Sequence, residues 1–142
     1  MAYLNLGPHL QAALLCERVL YEKDGVVTIV RLIDRVVVHN ARATTGAQVP
    51  AAIVACHAVV ILKTGSRPGN YKLRLVLSSP SQRLLREFSV DVSLPGEEDQ
   101  GVNVVMPIQF LANEEGVYWL DVKLNNEEPS LTRISLRLVY RS

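Results

Sequence analysis

The chain has 142 residues, the size of one domain with a single core, and we expect one domain over residues 1–142. Its 15 basic and 14 acidic residues leave a formal net charge of +1, which excludes the strong positive potential that nucleic acids or anionic membranes require. No apolar run approaches the roughly 20 residues of a membrane-spanning helix. Residues 1–20 lack the pattern of a signal peptide, so we expect a cytoplasmic protein.

Residues 12–38 contain the first clear unit, two apolar stretches on either side of Asp24 and Gly25. An Asp-Gly pair between β-rich segments indicates a hairpin, because glycine accepts the positive φ of a tight turn. Residues 26–33 are dense in β-branched side chains on both faces, which predicts a central strand. Residues 10–20 also have apolar side chains at helical spacing, so a helix competes with the strand that we expect there.

Residues 39–49 form the longest irregular connection, and loops of this length often carry binding functions. Residues 51–63 then return to a strand that is apolar on both faces. The two cysteines, Cys16 and Cys56, lie in predicted strands, and we expect both to be buried thiols. A disulfide between them is an alternative if the two strands are neighbours, and the sequence does not decide between the two.

A Gly-x-Tyr sequence occurs twice, at residues 69–71 and at residues 116–118, each time followed by apolar residues at every second position. That alternation predicts two half-buried strands. Between them, a turn at residues 78–81 precedes a return strand, and residues 102–110 alternate cleanly. Pro107 is out of phase with the apolar residues of that strand, where only an edge or a bulge accepts proline easily.

Apolar residues alternate again over residues 134–140, in the last predicted strand. Turns fall every 8 to 12 residues, roughly, and separate about eight strands, the spacing typical of an antiparallel sandwich of two sheets. The predicted fold class is therefore all-β, an antiparallel two-sheet sandwich. The side chains that we expect in its core include Tyr71, Leu73, Leu75, Leu120, Val122, Leu124, Ile134, Leu136 and Leu138.

Five segments, in this order, resemble those of a family of small uncharacterised bacterial proteins that form a domain of unknown function. They are residues 13–19, the Asp-Gly turn at residues 24–25, residues 33–36, residues 68–73 ahead of a Ser-Pro turn, and residues 116–118. The resemblance extends over nearly the whole chain and implies an immunoglobulin-like β-sandwich. Its motifs are structural, so it implies no catalytic or ligand-binding residue.

No pattern of catalytic or metal-binding residues stands out. The histidines and cysteines show no Cys-x-x-Cys or His-x-x-x-His spacing, and the adjacent Cys56 and His57 point to opposite faces of a strand. No Gly-x-Ser-x-Gly elbow presents a nucleophile, and the paired acidic residues lie in predicted turns. We therefore expect no metal, no other cofactor and no enzymatic activity.

Trp119 is the most suggestive single residue. If Tyr118 and Leu120 face the core, Trp119 faces outward beside Asp121. An outward tryptophan is a candidate anchor for a partner protein or a stacking platform for a sugar ring. In the alternative interpretation, a neighbouring loop or a long arginine side chain covers the ring.

Arg133, Arg137 and Arg141 share one face of the last predicted strand. Such charges commonly protect an exposed sheet edge against pairing with other chains, which is the interpretation that we favour. The alternative is a shallow basic stripe for an acidic partner. Together with Trp119, these arginines are the candidate residues for contact with a partner.

The resulting hypothesis is a non-catalytic protein-binding or assembly module, whose partner is another protein or a second copy in a homodimer. Strands that are apolar on both faces favour self-association slightly. The alternative is a small-molecule or carbohydrate-binding β-sandwich that uses Trp119 and the loop at residues 39–49. Aromatic side chains around a concavity would favour the ligand, whereas a flat apolar patch would favour a protein interface.

Overall fold

A computed structural model describes residues 7–39, 51–126 and 130–141. These residues form nine β-strands, one more than expected, and they include no helix that could cross a membrane. The all-β class predicted from the apolar alternation is therefore confirmed. The strands are β1 (His9–Tyr21), β2 (Val27–Leu32), β3 (Arg35–His39), β4 (Ala52–Lys63), β5 (Gly69–Ser78), β6 (Leu84–Leu94), β7 (Gly101–Ala112), β8 (Gly116–Leu124) and β9 (Thr132–Arg141).

The strands form two sheets that share one hydrophobic core. The four-stranded sheet has the order β2-β1-β4-β7, and the five-stranded sheet has the order β3-β9-β8-β5-β6. Neighbouring strands are antiparallel except β3 and β9, which run parallel with Arg35 opposite Arg137. The expectation of a wholly antiparallel fold is therefore wrong at this pair. The chain leaves the four-stranded sheet after Leu32 and enters the other sheet beside a distant strand, so no tight hairpin dictates an antiparallel pairing.

The segment at residues 10–20 is a strand, as expected, and not a helix. Its first part pairs with β4 and its second part with β2, and these ladders outweigh the modest helix propensity of its leucines and alanines. The hairpin predicted at Asp24 and Gly25 is also confirmed, with a φ of 84° at Gly25. Of the connection predicted at residues 39–49, only His39 lies within the described residues.

Two strands that are similarly apolar on both faces have different positions in the four-stranded sheet. β4 is central, between β1 and β7, as its sequence predicts. The sequence predicts a central position for β2 too, and this expectation is wrong, because β2 is an edge strand among the described residues. The composition of a strand indicates that both of its faces tend to be buried. It does not indicate whether the covering residues come from the same chain or from a partner. β7 is the other edge of this sheet, which agrees with the position of Pro107.

The core lies between the sheets, where the inward residues of each strand alternate with outward ones. Of the nine side chains predicted for the core, seven are buried, and Tyr71 and Ile134 are partly buried. Both of these partly buried side chains still pack against the central cluster. The facing predicted from the alternation of β5, β8 and β9 is therefore confirmed.

The repeated Gly-x-Tyr sequence has a common structural role. The hydroxyl of Tyr71 donates a hydrogen bond to the carbonyl oxygen of Arg67, at 2.7 Å. The hydroxyl of Tyr118 donates to the carbonyl oxygen of Glu114, also at 2.7 Å, and accepts from the N–H of Glu114 at 3.1 Å. Each tyrosine hydroxyl thus bonds to the backbone of the residue four positions earlier, and this bond stabilises the turn that precedes its strand.

Gly116 begins β8 with a φ of 134°, which residues with a side chain rarely adopt. A Cβ atom at this position would also lie 3.0 Å from the Cβ of Pro80. Glycine therefore lets the turn before β8 pack directly on the turn before β6.

Replacing Leu75 with alanine should lower the free energy of unfolding by about 2 to 5 kcal/mol, because the side chain is fully buried and its loss leaves a cavity. The matched control is Leu84→Ala, at a side chain that is 70% exposed, where we expect a loss within about 0.5 kcal/mol. Urea unfolding followed by circular dichroism measures both. A loss below about 1 kcal/mol for Leu75→Ala would contradict the facing of β5.

Replacing Tyr118 with phenylalanine should cost about 1 to 3 kcal/mol, because the N–H and the carbonyl of Glu114 both lose the hydroxyl as a partner. Tyr71→Phe removes one hydrogen bond at a more exposed ring and should cost about 0.5 to 1.5 kcal/mol. Thermal unfolding of the two variants gives the comparison. A larger loss at Tyr71 than at Tyr118 would show that the turn before β8 does not depend on this hydroxyl.

Candidate interaction surfaces

Trp119 lies on the outer face of the five-stranded sheet, as the alternation of β8 predicts. Its neighbours across the sheet are Ser135 of β9 and Ser78 of β5. The guanidinium carbon of Arg133 lies 4.5 Å from the centroid of the indole ring. Trp119 is therefore partly buried, and an arginine covers one side of its ring, as in the alternative interpretation of this residue.

Arg133 has a second contact within the domain. It is opposite Asp121 in the β8–β9 ladder, and its Nε donates to Oδ1 of Asp121 at 2.7 Å. Its guanidinium thus interacts with both a carboxylate and the face of an aromatic ring, which holds the side chain over Trp119. The stabilisation from each exposed contact is about 1 kcal/mol or less.

The interpretation that Arg133, Arg137 and Arg141 protect an exposed edge is wrong for Arg137 and Arg141, whereas Arg133 lies before the part of β9 that pairs with β3. From Arg137 onwards, β9 has β3 on one side and β8 on the other, so this part of the strand is not an edge. The error has a physical reason: β3 comes from the other sheet to lie beside β9, and nothing in the sequence near β9 signals this pairing.

A shallow depression of about 320 Å³ lies next to Trp119. Its lining residues are Asp34, Arg35, Val117, Trp119, Ser135 and Arg137. Trp119 is the only aromatic side chain among them, and the lining mixes both signs of charge. Arg141 lies further along β9, opposite His39, so the three arginines do not line a common site.

The rest of this outer face consists largely of charged and polar groups that bind one another. Nε of Arg74 donates to Oε1 of Glu87 at 3.0 Å, and its Nη1 donates to the carbonyl oxygen of Asn125 at 3.0 Å. The side-chain oxygen of Asn125 accepts from the N–H of Lys72 at 2.8 Å. Such pairing is typical of a solvated sheet face, so it does not indicate a binding site by itself.

A second surface, which the candidate residues did not include, is the hairpin over residues 17–32, called here the arm. β1 pairs with β4 only as far as Cys16, opposite His57, and beyond this point its partner is β2. None of the residues of the arm is buried, although half of them are apolar. These apolar residues are Val19, Leu20, Tyr21, Val26, Val27, Ile29, Val30 and Leu32.

Apolar side chains are present on both faces of the arm. On one face, Val19 lies opposite Ile29 and Tyr21 lies opposite Val27. Val30 and Leu20 project from the other face, where their partners across the ribbon are polar or charged. The signal for this surface was present in the sequence, since apolar residues on both faces predicted burial there.

The arm is held as an ordered hairpin by its own hydrogen bonds. The N–H of Glu22 donates to the carbonyl oxygen of Val26 at 2.9 Å, and the N–H of Gly25 donates to the carbonyl oxygen of Glu22 at 3.0 Å. The N–H of Val26 also donates to Oδ1 of Asp24 at 3.1 Å, and Oγ1 of Thr28 donates to Oε1 of Glu22 at 2.8 Å. The arm therefore presents its apolar side chains on a defined backbone.

The cysteines lie where the arm joins the sheet. Cys16 and Cys56 are on the neighbouring strands β1 and β4, and both are buried, free thiols, as expected. Burial raises the pKa of the Cys16 thiol, and burial together with the nearby Cys16 raises the pKa of Cys56 to about 11. Both groups are therefore protonated at neutral pH, which makes them poor nucleophiles and poor metal ligands. The described residues also contain no group of three side chains that could hold a metal ion.

The fold and its surfaces define an all-β domain with an exposed apolar hairpin. The chain belongs to a family whose model is described as a family of unknown function (DUF6941), which matches residues 11–139. Among curated proteins, no match to the chain was found. The family match includes both the arm and Trp119, and it assigns an activity to neither.

Replacing Arg133 with alanine should increase the quenching of Trp119 fluorescence by acrylamide, because the ring loses its cover. Trp119 is the single tryptophan of the chain, so the signal has one source. Arg141→Ala is the control and should leave quenching unchanged, since Arg141 lies opposite His39 and away from the ring. Unchanged quenching in Arg133→Ala would contradict the stacked arrangement.

Proposed function

We propose that this chain is a non-catalytic protein-binding or assembly module of the cytoplasm, and that the arm is its contact surface. The observation that supports this proposal is that half of the arm is apolar and none of it is buried. Contiguous exposed apolar surface of this kind is typical of interaction sites. The free thiols of Cys16 and Cys56 are compatible with a reducing compartment.

The energetics of the arm favour a partner. Tyr21 and Leu32 are 69% and 68% exposed, and complete burial of such a side chain contributes about 1.5 to 3 kcal/mol. A ribbon of two strands is also marginally stable in water without a further layer or strand. A partner that covers the arm would therefore stabilise both the contact and the hairpin.

We further propose that the fold is an immunoglobulin-like sandwich. Two sheets over a shared core support this assignment, as does the bond from the hydroxyl of Tyr118 back to Glu114. A tyrosine that bonds to the backbone a few residues upstream of its strand is a recurrent feature of such sandwiches. Domains of this architecture often serve as binding modules, but the architecture alone does not define a function.

The alternative function, binding of a small molecule or carbohydrate, has less support. It predicts several outward aromatic side chains around a concavity, whereas the depression beside Trp119 is lined by one aromatic residue. Arg133 already covers part of that ring. Trp119, Arg133, Arg137 and Arg141 remain candidate contacts for a partner protein on the opposite sheet from the arm, although they do not line one common site.

The substitution Tyr21→Glu tests the arm, because it places a charge in the apolar surface without disturbing a buried side chain. We expect the variant to lose at least about 2 kcal/mol of binding energy for the partner of the chain, whether that is itself or another protein. The partner is identified by cross-linking in cells, and binding is then measured with both purified components. The unfolding free energy should change by less than about 1 kcal/mol.

The matched control is Leu84→Glu, which places the same charge at an equally exposed apolar residue of the other sheet. We expect this control to bind like the wild type. Equal binding by wild type and Tyr21→Glu would contradict the proposed contact surface, and so would an equal loss in both variants.

A further inference from the structure

We propose that the partner of the arm is a second copy of the same chain, and that the β2 strands of two copies pair antiparallel about a twofold axis. This inference rests on the proposed function, since it needs the arm to be a contact surface. The pairing would join two four-stranded sheets, edge to edge, into one continuous sheet.

The first argument is the open edge of β2. In the part of the chain that the structure describes, β2 has a ladder with β1 and with no other strand. Among the described residues, the N–H and C=O groups of its other edge therefore have no strand partner, and they form a template for another strand. Antiparallel addition of a strand to such an edge is a common mode of recognition.

The second argument is that the opposite edge of the same sheet is protected along its middle, whereas the edge of β2 is protected only near its end. On β7, Pro107 offers no N–H, and Nη1 of Arg86 donates to the carbonyl oxygen of Gln109 at 2.6 Å. β2 contains no proline, and its one charged residue, Arg31, has a φ of 57° near the end of the strand, so the regular, uncharged edge is residues 27–30. This regular stretch of edge, without proline or charge, is suited to pairing with another strand.

The third argument is charge. Nε of Arg31 lies 3.3 Å from Oε2 of Glu17 on the same arm, so the one charge of β2 has a partner of opposite sign. The arm as a whole carries three acidic and three basic residues, namely Glu17, Glu22, Asp24, Arg18, Lys23 and Arg31. A neutral surface of this kind does not select a strongly charged partner, and it does not repel a copy of itself.

The fourth argument is the set of side-chain pairs that a twofold axis creates. With the axis at Ile29, this residue faces itself, and Thr28 faces Val30 of the second copy. Cross-strand pairs of β-branched residues stabilise antiparallel sheets. Arg31 would face Val27, which leaves the two arginines about 13 Å apart along the strands, beyond the Debye length of about 8 Å.

The pairing would also supply what the arm lacks. It converts each two-stranded ribbon into part of a four-stranded one, and three or more strands with an apolar face are needed for independent stability. The apolar face that carries Val19, Val27 and Ile29 would then continue into the same face of the second copy through the pair of Ile29 side chains.

Opposite charges at the axis test the arrangement directly. Ile29→Lys and Ile29→Glu each place two like charges against each other in a twofold pair, so each variant alone should dimerise at least about tenfold more weakly than wild type. An equimolar mixture of the two variants should restore a heterodimer, because lysine then faces glutamate. Sedimentation velocity of the full chain, over a range of concentrations, measures all three samples.

The matched controls are Ile53→Lys and Ile53→Glu, at an isoleucine that is 69% exposed on β4, away from the edge of the sheet. We expect them to dimerise like wild type. Ile29 is not buried in the single chain, so its variants should melt within about 3 °C of wild type once the samples are diluted to monomer.

Three results would overturn the inference: a wild type that stays monomeric at about 100 µM, a dimer insensitive to both Ile29 variants, or a mixture that fails to associate. A monomeric wild type whose other partner is lost in Tyr21→Glu would overturn the self-pairing and leave the proposed function standing. A chain for which neither set of variants alters any association would overturn both.

Discussion

The domain depends on a change of partner within one strand. β1 pairs with β4 up to Cys16, where Leu15 is part of the core, and beyond Cys16 it pairs with β2. Cys16 itself has a neighbour on each side, His57 of β4 and Leu32 of β2. At the point of separation, Nδ1 of His57 lies 3.3 Å from the carbonyl oxygen of Glu17. This change of partner determines which apolar residues the chain buries for itself and which it leaves on the arm.

The sequence predicts best those parts of the fold that are encoded locally. The half-buried strands β5, β8 and β9 alternate with period two, so their boundaries and inward residues follow from the pattern. The partners of a strand are not encoded in its own residues. For this reason β2 could not be told from β4 by composition, and the parallel pairing of β3 with β9 had no signal at all.

The same limit applies to the candidate sites. That Trp119 points outward follows from the alternation of β8, but its cover by Arg133 depends on the register between β8 and β9. The apolar faces of the arm were visible in the sequence, and they were interpreted as burial within one chain. Apolar residues on both faces of a strand indicate that both faces tend to be buried. The same pattern is expected whether the surface that covers them belongs to the same molecule or to a partner.

The parallel pair of β3 and β9 has a consequence for how the chain folds during synthesis. Arg35 and Arg137 lie opposite each other although about 100 positions separate them, a contact of very long range. When β3 leaves the ribosome, β9 has not yet been synthesised. Val36 and Val38 therefore cannot yet pack against the core as they do in the folded domain. A nascent chain that stops before β9 would therefore lack two paired strands of the five-stranded sheet, β9 and β3, instead of one. Its unpaired strands would be exposed to other nascent chains on the same polysome.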